Sequence, residues 1–309
     1  MSYLGNLTFR LAAGAMRLPE GVRRRHTGFL LQAQQDDGGF AGRAGPSDLY
    51  YTGFGLRGLV LLGGLTDAVA RRAAGFLQAR LDRPRMPSID ALSLVYSSVL
   101  LELTCGIDVY GAAGRDRLGS LNETLNPLRR DDGGYAKTER SGHSSTYHTF
   151  LAASCLELLG AAQQPGPMTE LIRSRRRDDG GFVELDPLRH SGTNPTAAAV
   201  GLLRLFDAME EPARHDAVRF LAGVQNAEGG FRANTRIPVA DLLSTFTGLV
   251  ALADLDGLAS VDTAAARRYA HALEQPGGGF RGGSWDNAAD VEYTFYGVGV
   301  LALLAGSEG

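Results

Sequence analysis

The stretch QNAEGGFRANTRIPVADLLSTFTGLVALA, residues 225–253, contains a turn, a loop and a helix in that order. Its GGF triplet predicts a tight turn, because glycine readily adopts the positive φ that such turns need. The polar loop after the triplet ends at Asp241, a residue type that caps helix N-termini. The apolar residues that follow recur with a spacing near 3.6, which predicts a buried helix. The same pattern returns along the chain, and the predicted fold rests on that repetition.

Five GGF or GGY triplets mark a repeat of about 48 residues. They begin at Gly38, Gly133, Gly180, Gly229 and Gly278. The last four are separated by 47, 49 and 49 residues, and the first gap is 95, so one repeat has lost its triplet. In that repeat, Pro84 and Pro87 of residues 82–88 take the place of the glycines. The sequence therefore predicts six repeats.

Each repeat predicts an amphipathic outer helix before the triplet and an apolar inner helix after the loop. The predicted outer helices are residues 22–35, 67–79, 115–129, 169–176, 212–225 and 262–274. The predicted inner helices are residues 50–62, 91–103, 147–159, 196–206, 242–253 and 291–304. Their expected N-caps are Asp48, Asp90, Ser144 or Ser145, Asn194, Asp241 and Asp290. Six outer and six inner helices in alternation can stack as an open solenoid or close into a ring.

Composition and charge exclude several functional classes. The 309 residues are 44% hydrophobic with a net charge of −3, which argues against a nucleic-acid partner. Two isolated cysteines indicate no disulfide framework. The N-terminal basic cluster follows the apolar residues, the reverse of a secretory signal, and no apolar run of transmembrane length stands out. We therefore expect a cytoplasmic protein, and the abundance of Arg, Ala and Gly suggests a bacterial one.

Three stretches resemble the repeat of protein prenyltransferase β subunits and of the wider superfamily of squalene-type and class II terpene cyclases. They are QDDGGFAGRAGPSDLYYTGFGLRGLVLLG at 35–63, EGGFRANTRIPVADLLSTFTGL at 228–249 and GGGFRGGSWDNAADVEYTFYGVGVLALL at 277–304. The resemblance implies an all-α fold, the α6/α6 toroid, for residues 1–309 as one domain. In a toroid all inner helices start at one rim, where their dipoles together favour an anion. It also implies an isoprenoid substrate and, for the transferase branch, a partner α subunit.

The resemblance also indicates which metal and acid motifs are missing. Protein prenyltransferases hold zinc with an Asp, a Cys two residues later and a His in the last inner helix; Asp241 matches, but Leu243 and Tyr293 stand at the other two positions. Leu is no zinc ligand, so we expect neither zinc nor a metal-ligating residue. The DxDD acid of class II cyclases and the DDxxD magnesium motif are also absent from the sequence. Mg²⁺ is expected only as the companion of a diphosphate substrate.

Four residues are the candidate catalytic groups: Asp241, Asp290, Glu292 and Tyr293. Asp48 occupies a position comparable to the two aspartates. For the aspartates the alternative is that each only caps its helix, since every inner helix carries such a residue. Glu292 is not a repeat feature, and a carboxyl group in the first turn of a buried helix is a candidate acid with a raised pKa.

The candidate substrate-binding residues are of two kinds. Arg232, Arg236 and Arg281 follow the last two triplets and could hold a diphosphate, or remain solvated loop charges. The others could line a slot for a prenyl chain and stabilise a carbocation, or simply pack in the core: Tyr51, His148, Phe246, Trp285 and Tyr296.

Three functions follow as hypotheses. The first is a terpene cyclase-like enzyme that processes a linear prenyl substrate, with a diphosphate as its expected polar end, through carbocation chemistry without zinc. The second is prenyl transfer to an acceptor, as in the β subunits. The third is a non-catalytic isoprenoid-binding or scaffold protein.

Overall fold

The computed structural model describes residues 2–81 and 86–305. Pro84 and most of the proline remnant at 82–88 lie outside the described residues. In the described part the chain forms thirteen α-helices and two short hairpins of two-residue strands. The helices are α1 (Tyr3–Ala15), α2 (Glu20–Ala33), α3 (Leu49–Leu62), α4 (Asp67–Gln78), α5 (Ser88–Cys105), α6 (Arg117–Leu125), α7 (Thr146–Leu158), α8 (Pro165–Ser174), α9 (Thr193–Leu205), α10 (Glu211–Gly223), α11 (Leu242–Asp254), α12 (Thr263–Ala272) and α13 (Val291–Leu304). The strands are β1 (Phe231–Arg232), β2 (Ala240–Asp241), β3 (Phe280–Arg281) and β4 (Ala289–Asp290).

The chain divides into two compact units. The central unit comprises residues 2–4, 127–273 and 283–285. The terminal unit comprises residues 5–81, 86–126, 274–282 and 286–305, so it is built from both ends of the sequence. The expectation of a single domain over 1–309 stays a prediction.

In the central unit, α9 lies between α7 and α11, with α8 packed on α9 and α10 on α11. The loop before each inner helix lies against the start of the preceding one. The backbone N–H of Thr146 donates to the Glu184 carbonyl at 3.0 Å, and that of Thr193 donates to the Ala233 carbonyl at 2.8 Å. The three inner helices therefore start at the same end of the unit.

In the terminal unit, α3 lies between α5 and α13. The outer helix α2 packs on both α3 and α13, while α4 and α6 pack on α5. The candidate site described below lies where α3 packs beside α13. Helix α1 buries Leu11 and Ala15 and exposes Phe9, as an amphipathic helix should, and Met16 in the turn that follows is also exposed.

The predicted turns form at all five triplets. The first glycine of each has a positive φ, between 85° at Gly133 and 97° at Gly278. At three of them an aspartate caps the turn; Asp37, for example, accepts the N–H of Gly39 at 3.0 Å. The aromatic residue of each triplet is buried, which pins the turn to the core: Phe40, Tyr135, Phe182, Phe231 and Phe280.

A threonine in the inner helix after each triplet completes the turn, and the sequence patterns did not predict it. Its hydroxyl accepts the backbone N–H of the triplet aromatic at 2.9–3.2 Å. The five threonines are Thr52, Thr149, Thr196, Thr245 and Thr294, all fully buried. Because a buried N–H needs a partner, the hydroxyl fixes the loop to the helix that follows it.

Two of the expected helix caps are wrong. Helix α5 begins at Ser88 after Pro87, which places Asp90 in the first turn. Helix α9 is capped by Gly192, which pairs with Phe182 and so sets the start of the helix. Asn194 therefore lies inside the helix, where its Oδ1 accepts the Thr247 hydroxyl at 2.6 Å. The other expected caps are confirmed, with Ser145 rather than Ser144 capping α7.

The helix boundaries differ from prediction most at two outer helices. Helix α6 ends at Leu125 rather than residue 129, because a 3₁₀ turn containing Pro127 follows it. Helix α8 begins at Pro165 rather than residue 169, with prolines in its first turn.

Helix α5 corrects the expectation that no segment has transmembrane length and apolarity. Its 18 residues, Ser88–Cys105, are long and apolar enough by composition, yet 56% of them are buried within the protein. A buried core helix gives the same signal, so this is weak evidence for a membrane span. Of the two cysteines, Cys155 is buried and Cys105 is partly exposed, and neither forms a disulfide.

Candidate functional site

The start of α13 carries an ion-pair cluster in the terminal unit. Asp290 caps the helix by accepting the N–H of Tyr293 at 2.8 Å. Its other oxygen accepts Arg43 Nε at 2.8 Å, and the same guanidinium binds both oxygens of Asp286, at 2.8 and 2.5 Å. Arg43 also lies 5.5 Å from the centre of the Tyr293 ring. Three chain segments are thereby joined at the helix start.

The pKa values of the two aspartates of this cluster are shifted in opposite directions. Burial raises the pKa of Asp290, although its bond from Tyr293 N–H and the Arg43 charge oppose that effect. The pKa of Asp286 is lowered to about 2, since Arg43 and the N–H groups of Gly282 and Ala288 outweigh its burial. Protonating Asp290 would break its contact with Arg43, so its geometry is that of a structural anchor.

Glu292 has a different environment, in the first turn of α13. Its Oε1 accepts the Tyr50 hydroxyl at 2.6 Å and the Tyr296 hydroxyl at 3.3 Å. Among the described residues no donor reaches Oε2. Burial raises the pKa of Glu292, and the nearby Asp290 charge adds to the effect, against the hydrogen bonds and Arg57. Oε2 is therefore the oxygen on which a proton would sit.

Aromatic rings surround Glu292. We name the rings of Tyr50, Phe54, Phe295 and Tyr296 the aromatic wall. Their centroids lie 4.9–5.7 Å apart in tilted and edge-to-face pairs. Helix periodicity explains the arrangement, because residues three and four apart share a face: Tyr50 and Phe54 are four apart on α3, and Glu292 lies three and four residues before Phe295 and Tyr296 on α13.

A cation already lies on this wall. The Arg57 guanidinium lies 4.1 Å from the Phe54 ring centre and 4.8 Å from that of Phe295. Its Nε donates to the Gly53 carbonyl at 2.9 Å, and no ion pair of the described residues involves it. The wall therefore presents ring faces that stabilise positive charge.

The remaining expected site residues of this unit lie around the cluster. Tyr51 packs on the loop at Gly42, and burial raises its pKa. Tyr293 is half-buried beneath Arg43, and Tyr296 is buried in the aromatic wall. The Arg281 guanidinium donates to the Asp286 carbonyl at 3.2 Å, which ties it to its own loop.

The other expected site residues lie in the central unit. Asp241 caps α11, accepting both the N–H and the hydroxyl of Ser244 at 2.7 and 2.8 Å. Burial raises its pKa against those hydrogen bonds. Phe246 is buried, Trp285 is 58% exposed, and Arg236 is exposed. The Arg232 guanidinium is committed to backbone carbonyls, most closely that of Gly223 at 2.7 Å, so it braces the loop.

His148 belongs to a polar cluster at the start of α7. Its Nδ1 lies 2.9 Å from the Ser145 hydroxyl, which also donates to Glu184. Burial and the Lys137 charge lower the pKa of His148 to about 4, and burial raises that of Glu184. The serine bridges the other two side chains, whereas a hydrolytic triad needs the histidine in that position. The geometry is thus that of an elaborated helix cap.

The donor set does not fit the zinc site of the protein prenyltransferases. Both Asp241 oxygens are used by Ser244, Leu243 has no donor atom, and Tyr293 replaces the histidine. Within the described residues, no group of three His, Cys, Asp or Glu side chains could hold a metal ion.

Sequence reasoning missed three members of the terminal-unit site. Arg57 is the only charged residue of α3, which was a usable signal. Asp286 gave no signal, because its role depends on Arg43 from a loop 243 residues away. In the sequence, Tyr50 is one of many aromatic residues near inner-helix starts, and nothing there distinguishes it as the partner of Glu292.

Comparison with known proteins gives the family. Residues 20–73, 74–209 and 183–309 match the family model of the prenyltransferase alpha-alpha toroid domain. No curated protein sequence matches the chain. Among solved structures, protein geranylgeranyltransferase-I of Candida albicans, complexed with GGPP, aligns with a TM-score of 0.69 at 15% identity, over 91% of each chain. Type II terpene cyclase MstE from Scytonema aligns at 0.65 and 15% identity, over 97% of this chain and 98% of that one.

A third similar structure limits what the fold implies. The GH76A alpha-1,6-mannanase from Salegentibacter aligns at 0.64 and 11% identity, over 92% of this chain and 98% of that one. One fold thus serves isoprenoid and glycoside chemistry, and similarity at these identities shows the fold alone. The toroid class is confirmed, while the number of repeats stays a prediction. The chain belongs to the prenyltransferase alpha-alpha toroid domain family.

Proposed function

We propose that this protein is an isoprenoid-processing enzyme of the terpene cyclase type, in which Glu292 protonates a linear prenyl chain lying on the aromatic wall. The observation that carries the proposal is the Glu292 carboxyl group, which lies beside aromatic rings, whose pKa is raised by burial and whose Oε2 accepts no hydrogen bond from a described residue. A raised pKa keeps more of a carboxyl group protonated at a given pH, and an acid catalyst needs its protonated form.

The chemistry balances on this wall. The proton leaves Glu292 Oε2, the alkene π electrons form the new C–H bond, and positive charge develops on the other alkene carbon. The rings of the aromatic wall stabilise that charge, as Phe54 and Phe295 already do for Arg57. Loss of a proton from a neighbouring carbon to the Glu292 carboxylate ends the reaction and restores the acid.

Tyr50 has a positioning role in this proposal. Its hydroxyl donates to Oε1 and leaves Oε2 to carry the proton. Asp241 and Asp290, the other candidate acids, are less suited, since serine or arginine donors occupy their oxygens. Tyr293 contributes its ring beneath Arg43 rather than a proton.

Arg57 is the proposed partner for the polar end of the substrate. Arg232 and Arg281 are tied to loop carbonyls, whereas Arg57 has guanidinium nitrogens without a partner among the described residues. A diphosphate accepts bonds from such a group, and Mg²⁺ would enter only with it. In a similar structure, a variant of MstE holds geranylgeranyl dihydroxybenzoate, a prenylated substrate.

Product formation tests the proposal directly. The protein is incubated with geranyl, farnesyl and geranylgeranyl diphosphates, with Mg²⁺ or with EDTA, and products are identified by mass spectrometry. We expect a cyclised or rearranged product from the wild type, none from Glu292→Gln, and full turnover from Glu20→Gln, whose side chain is 79% exposed. If a prenyl ligand binds but the wild type forms no product, the protein is a binding protein. Full turnover by Glu292→Gln would remove Glu292 from the mechanism.

Prenyl transfer is the second candidate, favoured by the alignment with the geranylgeranyltransferase and by Asp241 at its metal-binding position. It predicts stoichiometric zinc in the purified protein and transfer of a prenyl group to a cysteine-containing peptide. If elemental analysis finds no zinc in the purified protein and product still forms in EDTA, prenyl transfer is excluded.

A further inference from the structure

Exposed apolar side chains are concentrated at one end of the central unit. Four of them lie on the loops that lead from a triplet to an inner helix, and a fifth lies at the start of α7. They are Leu188 (46% exposed), Ile237 (39%), Val239 (45%), Trp285 (58%) and Tyr147 (37%). Only four other large apolar side chains of the described residues are exposed, and these are spread over α1, α2 and α5. The concentration needs an explanation, since exposed apolar patches mark interaction sites.

The repeat places these side chains together. Leu188 and Ile237 are 49 residues apart, the same spacing as their triplets at Gly180 and Gly229. They therefore occupy the same loop position in consecutive repeats. Because the loops bond to neighbouring helix starts, as at Thr193 and Ala233, they lie side by side at one end of the unit. Trp285 follows the next triplet and belongs to the same unit.

Cations accompany the apolar side chains. Four exposed basic residues lie on the same loops, and among the described residues none has an ion-pair partner: Lys137, Arg140, Arg189 and Arg236. Of the acids on the loops at 136–145 and 183–192, Asp186 is paired with Arg175, Glu184 is held by the Ser145 hydroxyl, and Glu139 is exposed. The whole chain has a net charge of −3, so this local excess of basic groups is not an average property.

We propose that this end of the central unit, the loop-end surface, docks on the surface of an anionic lipid bilayer. Apolar side chains between unpaired cations match a bilayer interface, where acyl chains lie behind negatively charged headgroups. A Trp is well suited to that boundary, because its ring is apolar and its N–H is polar. A protein partner would explain the apolar side chains but not the unpaired cations. The proposal goes beyond the proposed reaction and does not depend on Glu292.

Trp285 makes the test direct, because it is the only tryptophan of the chain. Vesicles of phosphatidylglycerol and phosphatidylcholine, or of phosphatidylcholine alone, are added at low ionic strength while Trp285 emission is followed. We expect a blue shift with the anionic vesicles, quenching by brominated lipids, and co-sedimentation of the protein. Binding should weaken with added salt, as electrostatic attraction to a charged surface does.

Three variants that keep Trp285 identify the surface. The double variant Leu188→Ser, Ile237→Ser should bind anionic vesicles at least ~10-fold more weakly, since it removes inserted apolar groups. The double variant Arg189→Gln, Arg236→Gln should bind them roughly 25-fold more weakly, about fivefold per charge. Leu103→Ser, at a site that is 79% exposed on α5, should bind like the wild type. Circular dichroism establishes that each variant is folded.

Two kinds of result would overturn the proposal. One is a failure of lipid binding to behave as expected: either Trp285 emission does not shift with anionic vesicles at low ionic strength, or the apolar double variant binds as the wild type does. The other is a concentration-dependent Trp285 shift without lipid, together with a doubled mass in sedimentation, which would assign the surface to a second copy of the chain.

Discussion

Replacing Thr245 by valine removes one atom that ties a loop to its helix. The Thr245 hydroxyl accepts the N–H of Phe231 at 2.9 Å and donates to the Asp241 carbonyl at 2.7 Å. Thr245 and Phe231 are both fully buried, so no water can replace the lost acceptor. Valine fills the same volume, which makes Thr245→Val a test of the hydrogen bond and not of packing.

The expected loss follows from two opposing effects. A buried N–H left without a partner costs about 1–3 kcal/mol. The added methyl group offsets part of that, by up to ~0.8 kcal/mol. We therefore expect Thr245→Val to lower the free energy of unfolding by about 1–2 kcal/mol.

Urea denaturation followed by far-ultraviolet circular dichroism measures this loss, with an unchanged m-value as the condition for comparing midpoints. Thr104→Val is the control, because exposed Thr104 donates its hydroxyl to the Leu100 carbonyl of its own helix and lies 3.6 Å from the neighbouring Cys105 sulfur, so it ties no loop to the helix. We expect that variant to stay within about 0.5 kcal/mol of the wild type. An equal loss in both variants would refute the view that the threonine holds the turn.

Three further predictions concern charge. If Glu292 is the acid, turnover falls as the pH rises through its folded-state pKa, which lies above 4.5. The same ionisation lowers the stability of the folded protein over that range, because the folded state favours the protonated carboxyl group. Glu292→Gln should therefore flatten the dependence of the thermal unfolding midpoint on pH. Arg43→Gln should lower the free energy of unfolding, measured by urea denaturation, by about 2 kcal/mol, which is less than for a fully buried pair because Arg43 is 35% exposed. The double variant Arg43→Gln, Asp286→Asn should regain part of that loss. Since the folded-state pKa of His148 is about 4, the stability that its neutral form contributes should be complete above pH 6.5 and decline as the pH falls towards 4. His148→Gln should therefore lose less free energy of unfolding on acidification than the wild type.

The repeat made most of the fold predictable. Glycine turns, buried triplet aromatics and caps such as Asp241 and Asp290 are local features, so a single sequence carries them. The errors at Asp90 and Asn194 show the limit of local rules. In both places a good capping residue lies near a helix start that is set by other contacts, Pro87 in one case and the pairing of Gly192 with Phe182 in the other.

The candidate site was less predictable because its contacts are long-range. Glu292 could be singled out as a carboxyl group in an apolar helix, but its partner Tyr50 is 242 residues away. Arg232 and Arg236 looked alike in sequence, yet one braces its loop through backbone carbonyls and the other is exposed. Which arginine is free depends on loop geometry, and a pattern of residue types does not encode that.

The discontinuous terminal unit also constrains biosynthesis. Residues 127–273 of the central unit are contiguous and can pack as they leave the ribosome, whereas α3 must wait for α13, the last helix of the described chain. At translation rates of about 5–20 residues per second that delay is roughly 10–50 s. During it, the apolar face of α3 that later meets α13 has no native partner, so the nascent chain should depend on chaperones until synthesis is nearly complete. Glu292 lies on α13, so a truncated chain would also lack the candidate acid. Such a chain could not carry out the proposed protonation.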